Sequence, residues 1–136
     1  MNNDYREYTP ENITELKQNE IFVFGSNESG IHGAGAAKVA IDKFNAVFGQ
    51  GVGLQGQSYA IPTKDKRLDI LPLYRIYDYI LDFLTFAEDN PQLKFYVTKI
   101  GCGLAGYHPR DIKKVFYDVG ISNNIILPIE FTDDTE

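Results

Sequence analysis

Glycine sets the first constraint on this 136-residue chain. Eleven of its twelve glycines fall into three groups: Gly25, Gly30, Gly33 and Gly35; Gly49, Gly51, Gly53 and Gly56; and Gly101, Gly103 and Gly106. The first and third groups follow strand-like runs and open into helix-like runs. In α/β proteins that order is where phosphate is held. Glycine lets the backbone come close to a ligand. The helix start that follows offers unpaired N–H groups and a partial positive charge. Two such loops predict a guest with two phosphates, or one phosphate gripped from both sides.

The rest of the chain reads as alternating elements. Thr9, Pro10 and Glu11 form a helix-start signature, predicting a short helix over 10–17. Ile21, Phe22, Val23 and Phe24 read as a buried strand ending at Gly25. Ala36, Ala37, Ala40, Ile41, Phe44, Val47 and Phe48 repeat at helical spacing and predict a helix over 33–48. Residues 58–61 read as a short strand stopped by Pro62, and 63–69 as a polar loop. A helix is predicted over 72–90, a strand over 94–100, a helix over 109–119 closed by Gly120, and a strand over 124–129. An acidic tail, 132–136, follows. Strands alternating with helices predict an α/β fold: a three-layer α-β-α sandwich with a mostly parallel or mixed sheet, forming a single domain over 1–136. Ligands of such sheets sit beyond the carboxyl ends of the strands, where the first and third glycine groups fall.

Composition narrows the partners. Hydrophobic residues make up 43 % of the chain, enough for a packed core, and the net charge is −6. An acidic chain of this kind repels nucleic acid and anionic membrane surfaces. No apolar stretch approaches the ~18 residues that span a bilayer. The polar, acidic N-terminal stretch does not resemble a signal peptide. One cysteine and two histidines give neither a disulfide framework nor a His/Cys zinc site. The expectation is a soluble cytoplasmic protein with no structural metal and no bound cofactor.

Several residues bear chemistry. Gly33 and Gly35 are expected to bring backbone amides to phosphate oxygens. Gly101, Gly103 and Gly106 are expected to form the facing loop, the amides of Cys102, Leu104 and Ala105 pointing inward with theirs as an anion nest. Tyr107 either closes over the guest or caps the core. His32 borders the first loop and is the better placed histidine for acid–base work. His108 precedes Pro109 and reads as part of a helix start. Cys102 lies before that helix, a position that favours thiolate. Lys64 is a candidate to meet a negative guest, and Asp65 to position a water.

Three segments, in order, resemble the macro domain, a family that binds ADP-ribose. Residues 11–16 (ENITEL) are similar to its early Gly-Asp-Ile-Thr turn. Residues 21–27 followed by 32–37 (HGAGAA) are similar to its strand, its Asn and its glycine-rich helix opening. Residues 100–107 (IGCGLAGY) are similar to its second phosphate loop. The motifs cover about a quarter of the chain, and residues 49–65 have no counterpart. The sequence looks closest to a compact branch found in phages and bacteria.

The resemblance implies binding of ADP-ribose or a related nucleotide diphosphate, free or carried on an ADP-ribosylated protein. It adds Gly25, Ser26 and Ala34 to the ligand loops. It puts Asn27 at the distal ribose, holding hydroxyls or orienting a water, and Asn12 at the adenine. Two positions depart from the family pattern: Asn12 stands where the family has Asp, and Ala105 where it has an aromatic residue. A catalytic version would hydrolyse an ADP-ribosyl bond or a terminal phosphate, with Asn27 and His32 or Asp65 positioning the water. The alternatives are a non-catalytic, phage-encoded module that sequesters a nucleotide, and a Rossmann-like nucleotide-processing protein.

Overall fold

The computed structural model describes residues 7–132; the tail 133–136 and the first six residues lie outside the described residues. The molecule is α/β, with a five-stranded mixed sheet and three helices. The elements are β1 (Glu20–Asn27), α1 (Gly35–Lys43), β2 (Gly53–Gln55), β3 (Ser58–Lys64), α2 (Leu73–Asp89), β4 (Lys94–Val97), α3 (Pro109–Val119) and β5 (Ile125–Ile126), followed by a 3-10 turn at Ile129–Phe131. The strand order is β2-β3-β1-β4-β5. Pairs β1/β3, β1/β4 and β4/β5 are parallel, and β2 runs antiparallel to β3.

Strand β1 lies at the centre and is buried on both faces, which is why it reads as an unbroken apolar run. Its side chains alternate between two cores. Ile21 and Val23 join Tyr59, Ile61, Phe95 and Val97 beneath α2 and α3. Phe22 and Phe24 join Ala60 and, from α1, Ala37 and Ala40 on the other face, with Phe44 just beyond the helix. The arrangement is compatible with an α/β sandwich. Helix α2 buries Ile76, Ile80, Phe83, Leu84 and Ala87, a stripe at three- and four-residue spacing. Among the described residues no helix is long and apolar enough to cross a membrane.

Six elements depart from the sequence reading. The segment 10–17 is not helical. Thr9 is tied instead to the neighbourhood of β5, its N–H donating to Leu127 O at 2.9 Å and its hydroxyl to Ile126 O at 3.0 Å. That hydroxyl is therefore unavailable as a helix cap, and Ile13 and Leu16 pack against the α1-side core from an irregular strap. Helix α1 ends at Lys43, five residues early. Asn45 turns left-handed (φ 60°), Ala46 N–H returns to Ala40 O at 3.1 Å, and Gln55 Oε1 takes the N–H of Val47 at 2.7 Å.

Strand β1 continues past Gly25 to Asn27, because Ser26 and Asn27 still pair with Pro62 and Lys64 of β3. Strand β3 likewise runs through Pro62. Strand β2 pairs with β3 only from Ser58 to Ala60, so beside Pro62 no neighbour on that side asks for an N–H. The last strand is reduced to two residues, and β4 stops at Val97.

Candidate binding cleft

A cleft of about 1080 Å³ opens over the carboxyl ends of β3, β1, β4 and β5. The strand order lays its wall out in sequence. Lys64 ends β3 and Leu68 follows it; Asn27 ends β1, followed by Ile31 and the first turn of α1; residues 98–105 follow β4; and Pro128 to Glu130 follow β5, beside the strap 9–14. Gly25, Gly33 and Gly35 of the first glycine group and Gly101 and Gly103 of the third thus meet in one cavity, beyond the adjacent strands β1 and β4.

Backbone donors face that cavity. The first turn of α1 begins at Gly35 with Ala34 as an uncapped start, and the N–H groups of Gly35, Ala36 and Ala37 have no acceptor among the described residues. In the loop after β4, Cys102 N–H donates to Lys99 O and Gly106 N–H to Gly103 O, which closes the turn. The N–H groups of Gly103, Leu104 and Ala105 between them have no such acceptor among the described residues. A Cβ built at Gly33 or at Gly103 would meet no heavy atom within 4 Å, and neither residue is left-handed. Packing and backbone conformation therefore do not require glycine at either place; what its absence of side chain preserves is open space at the cleft.

Gly51 of the second glycine group and Gly30 of the first are different in kind. A Cβ on Gly51 would lie 2.1 Å from Asn27 O, and one on Gly30 would lie 2.4 Å from Gln50 N. These glycines let residues 49–51 lie against the end of β1, away from the cleft lining.

The predicted site residues separate accordingly. Asn12, Gly25, Ser26, Asn27, Gly33, Ala34, Gly35, Lys64, Gly101, Cys102, Gly103, Leu104 and Ala105 all line the cleft. His32, Asp65, Gly106 and Tyr107 do not. His32 is buried edge-on against Phe24, and its Nε2 lies 2.9 Å from Gln50 O. A carbonyl only accepts, so Nε2 carries a proton, and Nδ1 is buried without a partner among the described residues. Asp65 Oδ1 accepts from the N–H groups of Arg67 (2.8 Å) and Asp69 (3.0 Å). Tyr107 donates its hydroxyl to Leu71 O at 2.6 Å and packs on the α2/α3 core. His108 caps α3, Nδ1 accepting from Arg110 N–H at 3.1 Å.

Within the cleft the polar side chains are largely committed. Asn27 accepts from Ser29 and Ile31 and donates to Ile31 O. Ser26 donates its hydroxyl to Gly51 O. Burial pushes the Cys102 thiol up to about 11, against the opposing pull of Lys99, so it is protonated at neutral pH and a poor nucleophile. Lys99 pairs with Glu130 at 3.6 Å, whereas Lys64 has no carboxylate partner among the described residues. Among the described residues no group of three or more His, Cys, Asp or Glu side chains is placed to hold a metal ion.

Sequence reasoning missed the apolar wall. Ile31, Leu68 and Ile129 are exposed, yet all line the cleft with Leu104. A signal existed for Leu68: it is the one apolar residue in the charged run 64–69. No family model matches this chain, and no curated protein and no solved structure is significantly similar to it.

Proposed function

We propose that the cleft binds ADP-ribose or a related nucleotide diphosphate, as a macro domain-like module. One observation carries the reading: two separate sets of backbone N–H groups without acceptors among the described residues, at 35–37 and at 103–105, belong to segments that line one cavity beyond adjacent strands. Uncommitted amides at a helix start and in a turn are complementary to phosphate oxygens. The open space kept by Gly33 and Gly103 lets those oxygens approach the main chain. Lys64 adds a cation without a carboxylate partner among the described residues, in a molecule of net charge −6. The cleft extends to both sides of the amide sets, so a guest with its phosphates in the middle and a larger group at either end fits it. Isothermal titration with ADP-ribose tests the reading. Saturable heat is expected, and no heat at millimolar ligand overturns it.

Of the two forms of this function, sequestration without hydrolysis has the better support. The side chains that would position a water are bonded elsewhere: His32 to Gln50, and Asp65 to its own turn. Incubation with ADP-ribosylated protein discriminates, since release of free ADP-ribose above background establishes the hydrolase.

A further inference from the structure

We propose that the preferred guest is a dinucleotide, with a base at each end of its diphosphate, and that Ile31 and Leu68 hold the second base. The inference rests on the nucleotide reading above and goes beyond it by naming what fills the β3 end of the cleft. The amide donors sit over the two central strands, β1 and β4. On the β5 side the wall carries Ile13 and Ile129; beyond β1 and β3 it carries Ile31 and Leu68. Single exposed apolar residues are ordinary, but Ile31 (43 % exposed) and Leu68 (44 %) line the same cavity from the ends of two paired strands. A bare sugar presents hydroxyls, and the β3 end offers them little besides Lys64, because the side chain of Asn27 is already bonded and Asp65 lies outside the lining, bonded to its own turn. A flat base presents a face that two aliphatic side chains can cover.

Both aliphatic residues are held in place before any guest arrives. Asn27 bonds both the N–H and the C=O of Ile31. Leu68 stands at the tip of a hairpin closed by Leu71 N–H on Thr63 O (2.9 Å) and Asp65 N–H on Asp69 O (2.8 Å). Its φ is +69°, a left-handed conformation that costs a leucine energy and that glycine or asparagine would adopt readily. Strained non-glycine residues cluster at ligand clamps. Here the strain maintains a large apolar side chain at a place where a turn alone would favour a small residue.

The test titrates diadenosine diphosphate, ADP-ribose and ADP into the wild-type protein and into Leu68→Gly. In the wild type the dinucleotide is expected to bind about tenfold more tightly than ADP-ribose, the scale of covering an aliphatic side chain. Leu68→Gly should abolish that advantage and leave ADP affinity within about twofold, while its unliganded melting point stays level or rises because the strained φ is relieved. Equal affinities for dinucleotide and ADP-ribose in the wild type overturn the inference and leave the nucleotide reading standing. An equal loss for all three ligands in Leu68→Gly also overturns it. Failure of all three to bind the wild type overturns both.

Discussion

The side-chain amide of Asn27 clasps the main chain of Ile31 from two sides, Oδ1 accepting its N–H at 2.9 Å and Nδ2 donating to its C=O at 2.7 Å. An asparagine at the mouth of a nucleotide cleft invites a direct role with the guest; in this geometry it positions a loop. Asn27→Ala should lower stability in denaturant melts by about 0.5–1.5 kcal/mol, the net scale of a hydrogen bond, since both bonds to Ile31 are exposed. It should weaken nucleotide binding without abolishing it. Unchanged stability combined with complete loss of binding would show instead that the amide touches the guest.

The glycines give a two-sided experiment. Gly103→Val and Gly33→Val place side chains in open space and should leave the melting point near that of the wild type. Those same side chains stand where phosphate oxygens are expected, so affinity should fall at least about tenfold. Gly51→Ala should do the reverse. Its Cβ would lie 2.1 Å from a carbonyl oxygen, an overlap only backbone movement relieves, at about 2 kcal/mol or more. Thermal melts and calorimetry on the three variants decide; loss of folding in the valine variants would return these glycines to a packing role.

What the sequence made legible was whatever one element decides by itself. Helices α2 and α3 follow from an apolar stripe and from proline and glycine at their ends, and the central strand from its apolar run. The placement of two glycine loops beyond the strands followed from the alternation of elements. Less legible was anything settled by a distant partner. Thr9 looked like a cap, yet its hydroxyl bonds a carbonyl 117 residues away. Val47 and Phe48 continue a helical period, but Asn45 and Gln55 end the helix before them. His32 and Asp65 sit beside cleft residues in sequence and point elsewhere in space, because a side chain's direction depends on backbone turns that spacing does not encode.

His32 gives a direct separation of structure from chemistry. Its ring is buried, with Nε2–H donating to Gln50 O at 2.9 Å, so removing it leaves that carbonyl only the bond from Gln55 Nε2 at 3.1 Å. His32→Leu should cost about 0.5–1.5 kcal/mol in unfolding free energy, the net scale of one hydrogen bond. Nucleotide affinity of the folded fraction should stay within about twofold, because the ring lies outside the cleft lining. A stable variant that has lost binding or turnover would place the imidazole in the site after all.

Cys102 makes a prediction about alkaline stability. Burial raises its thiol from 9.0 to about 11 in the folded protein. The native state therefore holds this proton more tightly than the unfolded chain does. Below pH 9 both states are protonated and the group's contribution is complete. As pH rises from 9 towards 11 the unfolded chain loses the proton first, so stability falls across that window. Tyr59, raised from 10.0 to about 12, has the same sign one step higher. Cys102→Ala should therefore flatten the decline between pH 9 and 11 and leave the tyrosine decline above it. Denaturant melts over that range read both. At neutral pH the same shift predicts slow alkylation by iodoacetamide in the folded protein, restored to the rate of a free thiol on unfolding. Rapid alkylation of the folded protein at neutral pH would show that the cleft stabilises thiolate, and would reopen a nucleophilic role for Cys102.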